Sequence, residues 1–217
     1  MEVLLKNSHF LLEGVINTLL LSISCLCIAL IAGIGVGVLQ MAKNRLISSI
    51  ARGYAELFRG LPIVITLFIV FFMLPELGIY VNSYISAMIA LSVWSSSNIS
   101  VAVRGAIQSI PPTQFEAAHS LGLSSMQTMR YVILPQAFRR MLPSIIGLLS
   151  NLVQSTTLSV LIGNLDFLKS AQLVIERVEI MQGGSIAFQI YVLVLLVYFV
   201  ICYPLSIWAK RLERSYR

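Results

Sequence analysis

Two groups of neutral polar residues stand inside otherwise apolar runs, and they are where this sequence offers chemistry. The first is Ser92, Ser95, Ser96, Ser97, Asn98 and Ser100; the second is Asn151, Gln154 and Ser155, with Thr157 after it. At about 100° per residue, Ser92, Ser95, Ser96 and Ser100 fall in an arc of about 140°, and Asn151, Gln154 and Ser155 in one of about 100°. Hydroxyls and amides in such stripes bond either to a neighbouring helix or to a polar solute moving past them. Both readings stand for Ser92, Ser96, Asn98, Ser100, Asn151, Gln154, Ser155 and Thr157. Covalent catalysis has less to recommend it, because a nucleophile needs an adjacent base and the apolar runs contain neither Asp nor His. His9 and His119 are isolated, and Cys25, Cys27 and Cys202 sit in apolar runs as small hydrophobes, so no metal set is expected.

A third group lies in a polar stretch, residues 104–140. Pro111-Pro112 stops one helix, and Thr113-Gln114-Phe115-Glu116 reads as a capping box that starts another. Ala117 and Ala118 keep that short helix slim, Leu121 and Leu123 are apolar, and Gly122 suits its C-terminal cap. Leu134-Pro135 is predicted to break the next helix before the chain returns to an apolar run. The outcome is a compact helical elbow suited to a groove in another protein. Glu116 reads either as a helix cap alone, worth roughly 0.5–2 kcal/mol, or as a cap with a docking role.

Long apolar segments must position these groups. Of 217 residues, 58% are apolar and 11% charged, against about 25% charged in soluble domains, and the mean hydropathy is +0.89. A spanning helix needs about 20 mainly apolar residues, and the chain offers about five such segments, near 15–41, 50–74, 84–103, 141–163 and 185–208. The run 61–74 is too short alone and is extended back to about Ile50, bringing in Arg52, Glu56 and Arg59. Glu56 and Arg59, at i,i+3, read either as a pair near a gate or as interfacial charges. Gly33 and Gly37 form a small-xxx-small pair for close helix packing. The start of the chain lacks the pattern of a cleaved signal peptide, so the first span is expected to be retained. The fold class is therefore all-α integral membrane, a single transmembrane domain over 1–217.

The net charge of +6 does not argue for nucleic acid, since the basic residues sit between apolar runs rather than on one face. With five spans, the segments 43–60 and 104–140 and the C-terminus share one side, and that side holds twelve of the fifteen Lys and Arg residues. The positive-inside bias makes it cytoplasmic, with the N-terminus outside.

Glu116-Ala117-Ala118, then Gly122, then Leu134-Pro135-Gln136-Ala137, resemble the EAA loop of ABC importer permeases, whose elbow is the coupling helix that docks on the ATPase subunit. Glu56-Leu57-Phe58-Arg59-Gly60-Leu61-Pro62, Arg104-Gly105-Ala106-Ile107-Gln108-Ser109-Ile110 and Thr157-Leu158 are similar to the polar amino acid branch of that family, the histidine/glutamate/glutamine type. The resemblance covers about residues 11–212 and implies a type I importer permease, MetI-like, with a cytoplasmic coupling helix. It assigns coupling to Glu116, Ala117, Ala118, Leu121, Gly122, Leu134 and Pro135. It also implies a second permease subunit, identical or not, two cytoplasmic ATPase subunits that bind ATP and Mg, and an extracytoplasmic amino-acid-binding protein, in a bacterial inner membrane. The branch usually carries a glutamate where this chain has Val101, and Lys-Asp where it has Gln154-Ser155, so three charged groups are neutral here. Losing both signs together avoids a buried charge without its partner. Asp166-Phe167-Leu168 with Glu176-Arg177 looks like the glutamate/aspartate permeases. The expected function is the permease of a polar amino acid importer, not itself an enzyme. The alternatives are an assembly subunit whose partner holds the solute site, and a membrane-embedded enzyme.

Overall fold

The computed structural model describes residues 6–215, and among these the regular structure is entirely helical. Helix α1 (Ser8–Leu39) is apolar on nearly every side and, at about 1.5 Å per residue, long enough to cross a bilayer at a tilt. Its buried stripe includes Gly14, Thr18, Cys25, Ala29, Gly33 and Gly37. That stripe lies against α4 (Ser83–Gln108), so closely that a Cβ on Gly33 would stand 2.7 Å from the Ile99 side chain. One on Gly37 would stand 2.6 Å from Val103 and 2.9 Å from the Ser100 carbonyl. The glycine pair therefore does what its spacing implies: it lets two backbones meet.

The second expected span, 50–74, is not one helix. Helix α2 (Arg45–Gly60) and α3 (Ile63–Phe68, continuing to Glu76) meet at a bend of 103°. Pro62 has no N–H and disfavours helical geometry in the residue before it, and Leu61 is extended, at φ −78° and ψ 136°. From Ile63 to Glu76 the chain rises only about 21 Å, less than the roughly 30 Å core.

Helix α5 (Pro112–Ser120) forms the elbow. The chain then runs from Ser125 through α6 (Leu134–Ser155) and a tighter turn (Thr156–Ile162) as one long apolar unit. Leu134-Pro135 does not break it. The turn before this proline, Thr128–Ile133, is widened to i→i+5 bonding, as is Ile69–Met73 before Leu74-Pro75. A widened turn absorbs the missing N–H and keeps the ring off the preceding carbonyls, so the helix goes on where a break was expected.

The polar stretch 166–184 holds a further helix, α7 (Phe167–Gln182), which packs Phe167, Ala171, Val174 and Ile175 against Leu11 of α1 and Ile190 of α8 (Ala187–Ser215). By length and apolar content four helical units can span, or five if the bent pair counts as one. At the elbow end, Ile99, Val103 and Ile107 of α4 pack with Ile133, Ala137 and Met141 beneath Phe115.

Candidate coupling elbow and solute path

The start of α5 differs from the expected capping box. The helix begins at Pro112 with Pro111 in the cap position, and no side chain caps it; Thr113 and Glu116 both lie within the helix, exposed. Proline at the first helical position has φ preset and no N–H to satisfy, so it outcompetes a threonine one residue later. The capping box instead starts the next helical segment: the Ser124 N–H donates to Gln127 Oε1 at 2.9 Å, and the Gln127 N–H to Ser124 Oγ at 3.3 Å. Ser124-Ser125-Met126-Gln127 matches the S/T-x-x-E/Q pattern, so this signal was present in the sequence.

The C-terminal end of α5 is as expected. Gly122 has φ +78°, its N–H bonds the His119 carbonyl at 2.9 Å, and the Leu123 N–H reaches back to Ala118 at 3.1 Å. These two bonds define a Schellman closure. Ala118 is buried, whereas Glu116, Ala117 and Leu121 face outward, Leu121 at 82% exposure. Leu134 packs in the core beneath, and Pro135 is exposed.

One side-chain bond ties the elbow to α6, and a second contact ties α6 to the end of α4. The Gln136 amide donates to Gln114 Oε1 at 3.2 Å. The Arg140 guanidinium donates to the carbonyl of Ser109 and, at 2.9 Å, to its hydroxyl, joining the end of α4 to α6.

The polar stripes separate into two places. Ser92, Ser96 and Ser100 are buried within the chain, in a seam between α4 and the helices α1 and α2. Ser96 Oγ is 2.6 Å from the Tyr54 hydroxyl of α2, and Ser100 accepts from Gln40 Nε2 at 2.9 Å while donating to the Ser97 carbonyl at 2.7 Å. Asn98 is half-exposed and donates to the Trp94 carbonyl at 2.9 Å. Asn151 and Gln154 instead open into a furrow between α6 and α8. One hollow of about 360 Å³ includes Asn151, Gln154, Ser206 and Lys210, and a neighbour of about 330 Å³ adds Tyr198 and Tyr203. Ser155 and Thr157 are half-buried, the Thr157 hydroxyl donating to the Gln154 carbonyl at 2.7 Å. The serines thus face α1 and α2, the amides α8, and the two sets do not meet across one passage. Glu56 and Arg59 are both exposed on α2, and among the described residues no ion pair joins them.

The profile of the family described as "Binding-protein-dependent transport system inner membrane component" matches residues 27–217. The chain belongs to this family. The permease is 35% identical to the probable glutamine ABC transporter permease protein GlnP of Bacillus subtilis (strain 168), over 96% of this chain and 94% of that one. It is 31% identical to GlnM of the same organism, also a probable glutamine ABC transporter permease protein, over 99% of each. Among solved structures, an amino acid ABC transporter crystallised with histidines superposes with a TM-score of 0.84 at 26% identity, covering 98% of this chain and 96% of that one. An inward-facing MetNI methionine ABC transporter shares the fold, with a TM-score of 0.75 at 22% identity over 97% of each chain. The permease is thus a multi-pass inner-membrane component of a binding-protein-dependent transport system.

The structure makes four further groups in the permease prominent, three of them unmarked by any sequence motif and the fourth, Asp166, marked only by its short resemblance. Gln40 is fully buried, bonds Ser100, and its carbonyl accepts from the Ser48 hydroxyl at 2.9 Å. Tyr54 and Arg140 close the seam and the elbow. Asp166 caps α7, its Oδ1 accepting the Lys169 N–H at 2.8 Å, with no exposure. Burial pushes this carboxyl up to about 6, and the Lys169 N–H pulls the other way. Thr18 of α1 accepts the next N–H, that of Phe167, at 3.0 Å, and Tyr198 of α8 lies within range of the acid's charge. Asp166 thus caps α7 where the Phe167 N–H ties that helix to α1.

Proposed function

We propose that the permease forms one half of a pore that imports a polar amino acid with a neutral amide side chain, driven by ATP hydrolysed on a separate subunit. The observation that carries this is the elbow: a helix with a rigid exit, outward-facing Glu116, Ala117 and Leu121, and a side-chain clamp to α6, itself joined to the end of α4. A flexible loop would absorb an ATPase stroke; this unit passes it on. Two cytoplasmic ABC ATPase subunits that bind ATP and Mg, a second permease and an extracytoplasmic binding protein complete the assembly. A cytoplasmic elbow with the N-terminus outside is supported by the twelve of fifteen basic residues on the elbow side.

The furrow holding Asn151, Gln154 and Ser206 supports an amide cargo, because neutral donors and acceptors satisfy an amide fully, whereas a carboxylate there would lack a counter-charge beyond Lys210. The names of the Bacillus relatives point to glutamine. The glutamate or aspartate reading rests on the short Asp166 stretch, and Asp166 is occupied as a helix cap.

The test uses the assembled transporter in proteoliposomes. Gly122→Val forces a β-branched residue to positive φ, a strain of about 1–3 kcal/mol. It should leave membrane levels and permease pairing unchanged but release the ATPase or uncouple hydrolysis from uptake. Glu116→Lys should act more strongly than Glu116→Gln, because it reverses the charge of an exposed side chain on the outward face of α5. Full coupling in both Gly122→Val and Glu116→Lys would reduce the elbow to a surface turn.

A further inference from the structure

A cavity of about 460 Å³ lies beneath the elbow, between the end of α1, α5 and the widened turn that leads into α6. That volume falls within the roughly 300–1,000 Å³ of small-ligand sites. Its walls are apolar and adaptable, with Val38, Met41, Phe115 and Met129 among them. Two polar groups stand out. Thr128 is 1% exposed, lines the cavity and has no partner for its hydroxyl. Lys43 lines it too, exposed, and its ammonium makes one long bond, 3.4 Å to Ser125 Oγ, with further donors to offer. The apolar walls and the Lys43 ammonium at the edge suit an occupant that is apolar along most of its length and ends in an anion. A polar amino acid fits none of the first condition.

The surroundings say where such a molecule comes from. The apolar run of α1 ends at Met41 and Ala42, so Lys43 stands where hydrocarbon gives way to headgroups. Helix α2 starts two residues later and lies at 103° to the next helix. It exposes Leu46 (69%), Ile50 (65%) and Leu57 (56%), which at about 100° per residue share an arc of about 40°. Arg45, Arg52 and Arg59 run along another face of the same helix. An exposed apolar stripe with a basic flank is the pattern of a helix lying in the headgroup layer, and it brings that layer to the cavity.

We propose that the cavity is a site for one anionic phospholipid of the leaflet on the elbow side. Lys43 holds its phosphate and the apolar walls hold an acyl chain. The bound chain fills the gap between α1 and α5 and stiffens the elbow. This effect on coupling rests on the function proposed above; the binding does not.

The assembled transporter in phosphatidylcholine nanodiscs, with and without phosphatidylglycerol, separates the two. Native mass spectrometry should find phosphatidylglycerol retained on the wild type, and cargo-stimulated hydrolysis should rise with its fraction. Lys43→Gln should raise the phosphatidylglycerol fraction needed for half-effect by roughly fivefold, the contribution of one basic residue at a lipid surface. Ala42→Phe, which fills the cavity, should abolish retention, while Arg211→Gln, away from the cavity, should match the wild type. Loss of retention with unchanged stimulation upholds the site and removes its link to the elbow. Wild-type retention in both Lys43→Gln and Ala42→Phe overturns the site. Equal stimulation by inorganic phosphate in phosphatidylcholine discs would assign it to a free anion instead. Loss of the ATPase from Ala42→Phe in every lipid would give the cavity to that subunit. Either result ends the proposal.

Discussion

The serine seam and the amide furrow draw on the same kind of neutral side chain, yet one is closed and the other open. In the seam, short hydroxyls lie beside glycines, so the backbones of α1 and α4 approach until Ser96 and Ser100 have partners inside the chain. In the furrow, the longer amides of Asn151 and Gln154 stand beside α8 across hollows of about 360 and 330 Å³. What decides the difference is the size of the neighbour opposite, not the polarity of the residue. A polar group in a spanning helix holds helices together when its surroundings are small enough to close over it, and otherwise remains available to a solute.

The largest expected effect tests whether the seam is closed. Gly37→Leu drives a side chain into Val103 and the Ser100 carbonyl, backbone that cannot step aside, and should cost about 3 kcal/mol or more. Gly35→Leu, two residues away with nothing within 4 Å, should be tolerated. Membrane level and thermal midpoint in detergent read both. Equal loss at the two positions would mean that α1 packs against something other than α4 along this stretch.

Next in size is the buried Asp166 cap at the start of α7, which packs against both α1 and α8. The Asp166 carboxyl is raised from 3.8 to about 6 in the folded chain, so between these values the folded state holds a proton that the unfolded state gives up. Stability from this group is therefore greatest near pH 4, falls as pH rises through about 6, and is level above; the span is of order 3 kcal/mol. Asp166→Asn keeps an oxygen for the Lys169 N–H and should remove the slope, raising the midpoint at pH 7 relative to wild type. Midpoints between pH 4.5 and 7.5 decide it, and an unchanged slope in the variant would assign the titration elsewhere.

The Gly33 and Gly37 pair was legible because a four-residue spacing of small groups has one structural use in an apolar helix. The elbow's exit was legible for a similar reason, since Gly122 follows a short helix with apolar Leu121 and Leu123 around it. Its entry was misread: Thr113 and Glu116 satisfy a side-chain pattern, but Pro112 fixes the backbone first. The second span was misread because apolar content reports length and not direction, and Pro62 turns the chain by 103°. Helix α7 was missed because Glu176, Arg177 and Glu179 mask the buried positions Ala171, Val174, Ile175 and Val178 among them. The separation of seam from furrow could not be read at all, since helical arcs place residues on one helix without saying which helix lies opposite.

The furrow itself is tested by Gln154→Leu. Loss of one hydrogen bond to cargo, about 1.4 kcal/mol, should lower uptake about tenfold with the assembled amount unchanged. Asn151→Leu should act in the same direction. Normal uptake in both would close the furrow as a route and shift the solute site to the partner permease.

The smallest effect separates the two regions most sharply, because it removes a hydroxyl as polar as any in the furrow and predicts no change in transport. Ser96 Oγ and the Tyr54 hydroxyl, 2.6 Å apart, join α4 to α2 shortly before the chain turns at Leu61-Pro62. In Tyr54→Phe the Ser96 hydroxyl still donates to the Val93 carbonyl at 2.8 Å, so no buried group is orphaned and the loss stays small. A double-mutant cycle of Ser96→Ala and Tyr54→Phe should give a coupling of about 0.6 kcal/mol, with about 2 kcal/mol as an upper bound for such bonds between membrane helices. Uptake per assembled complex should equal wild type in all three variants, since a residue at 1% exposure sealed behind α1 and α2 meets no cargo. A fall in uptake for Ser96→Ala at unchanged stability, approaching that of Gln154→Leu, would mean that the seam opens during transport and that both stripes line one path after all.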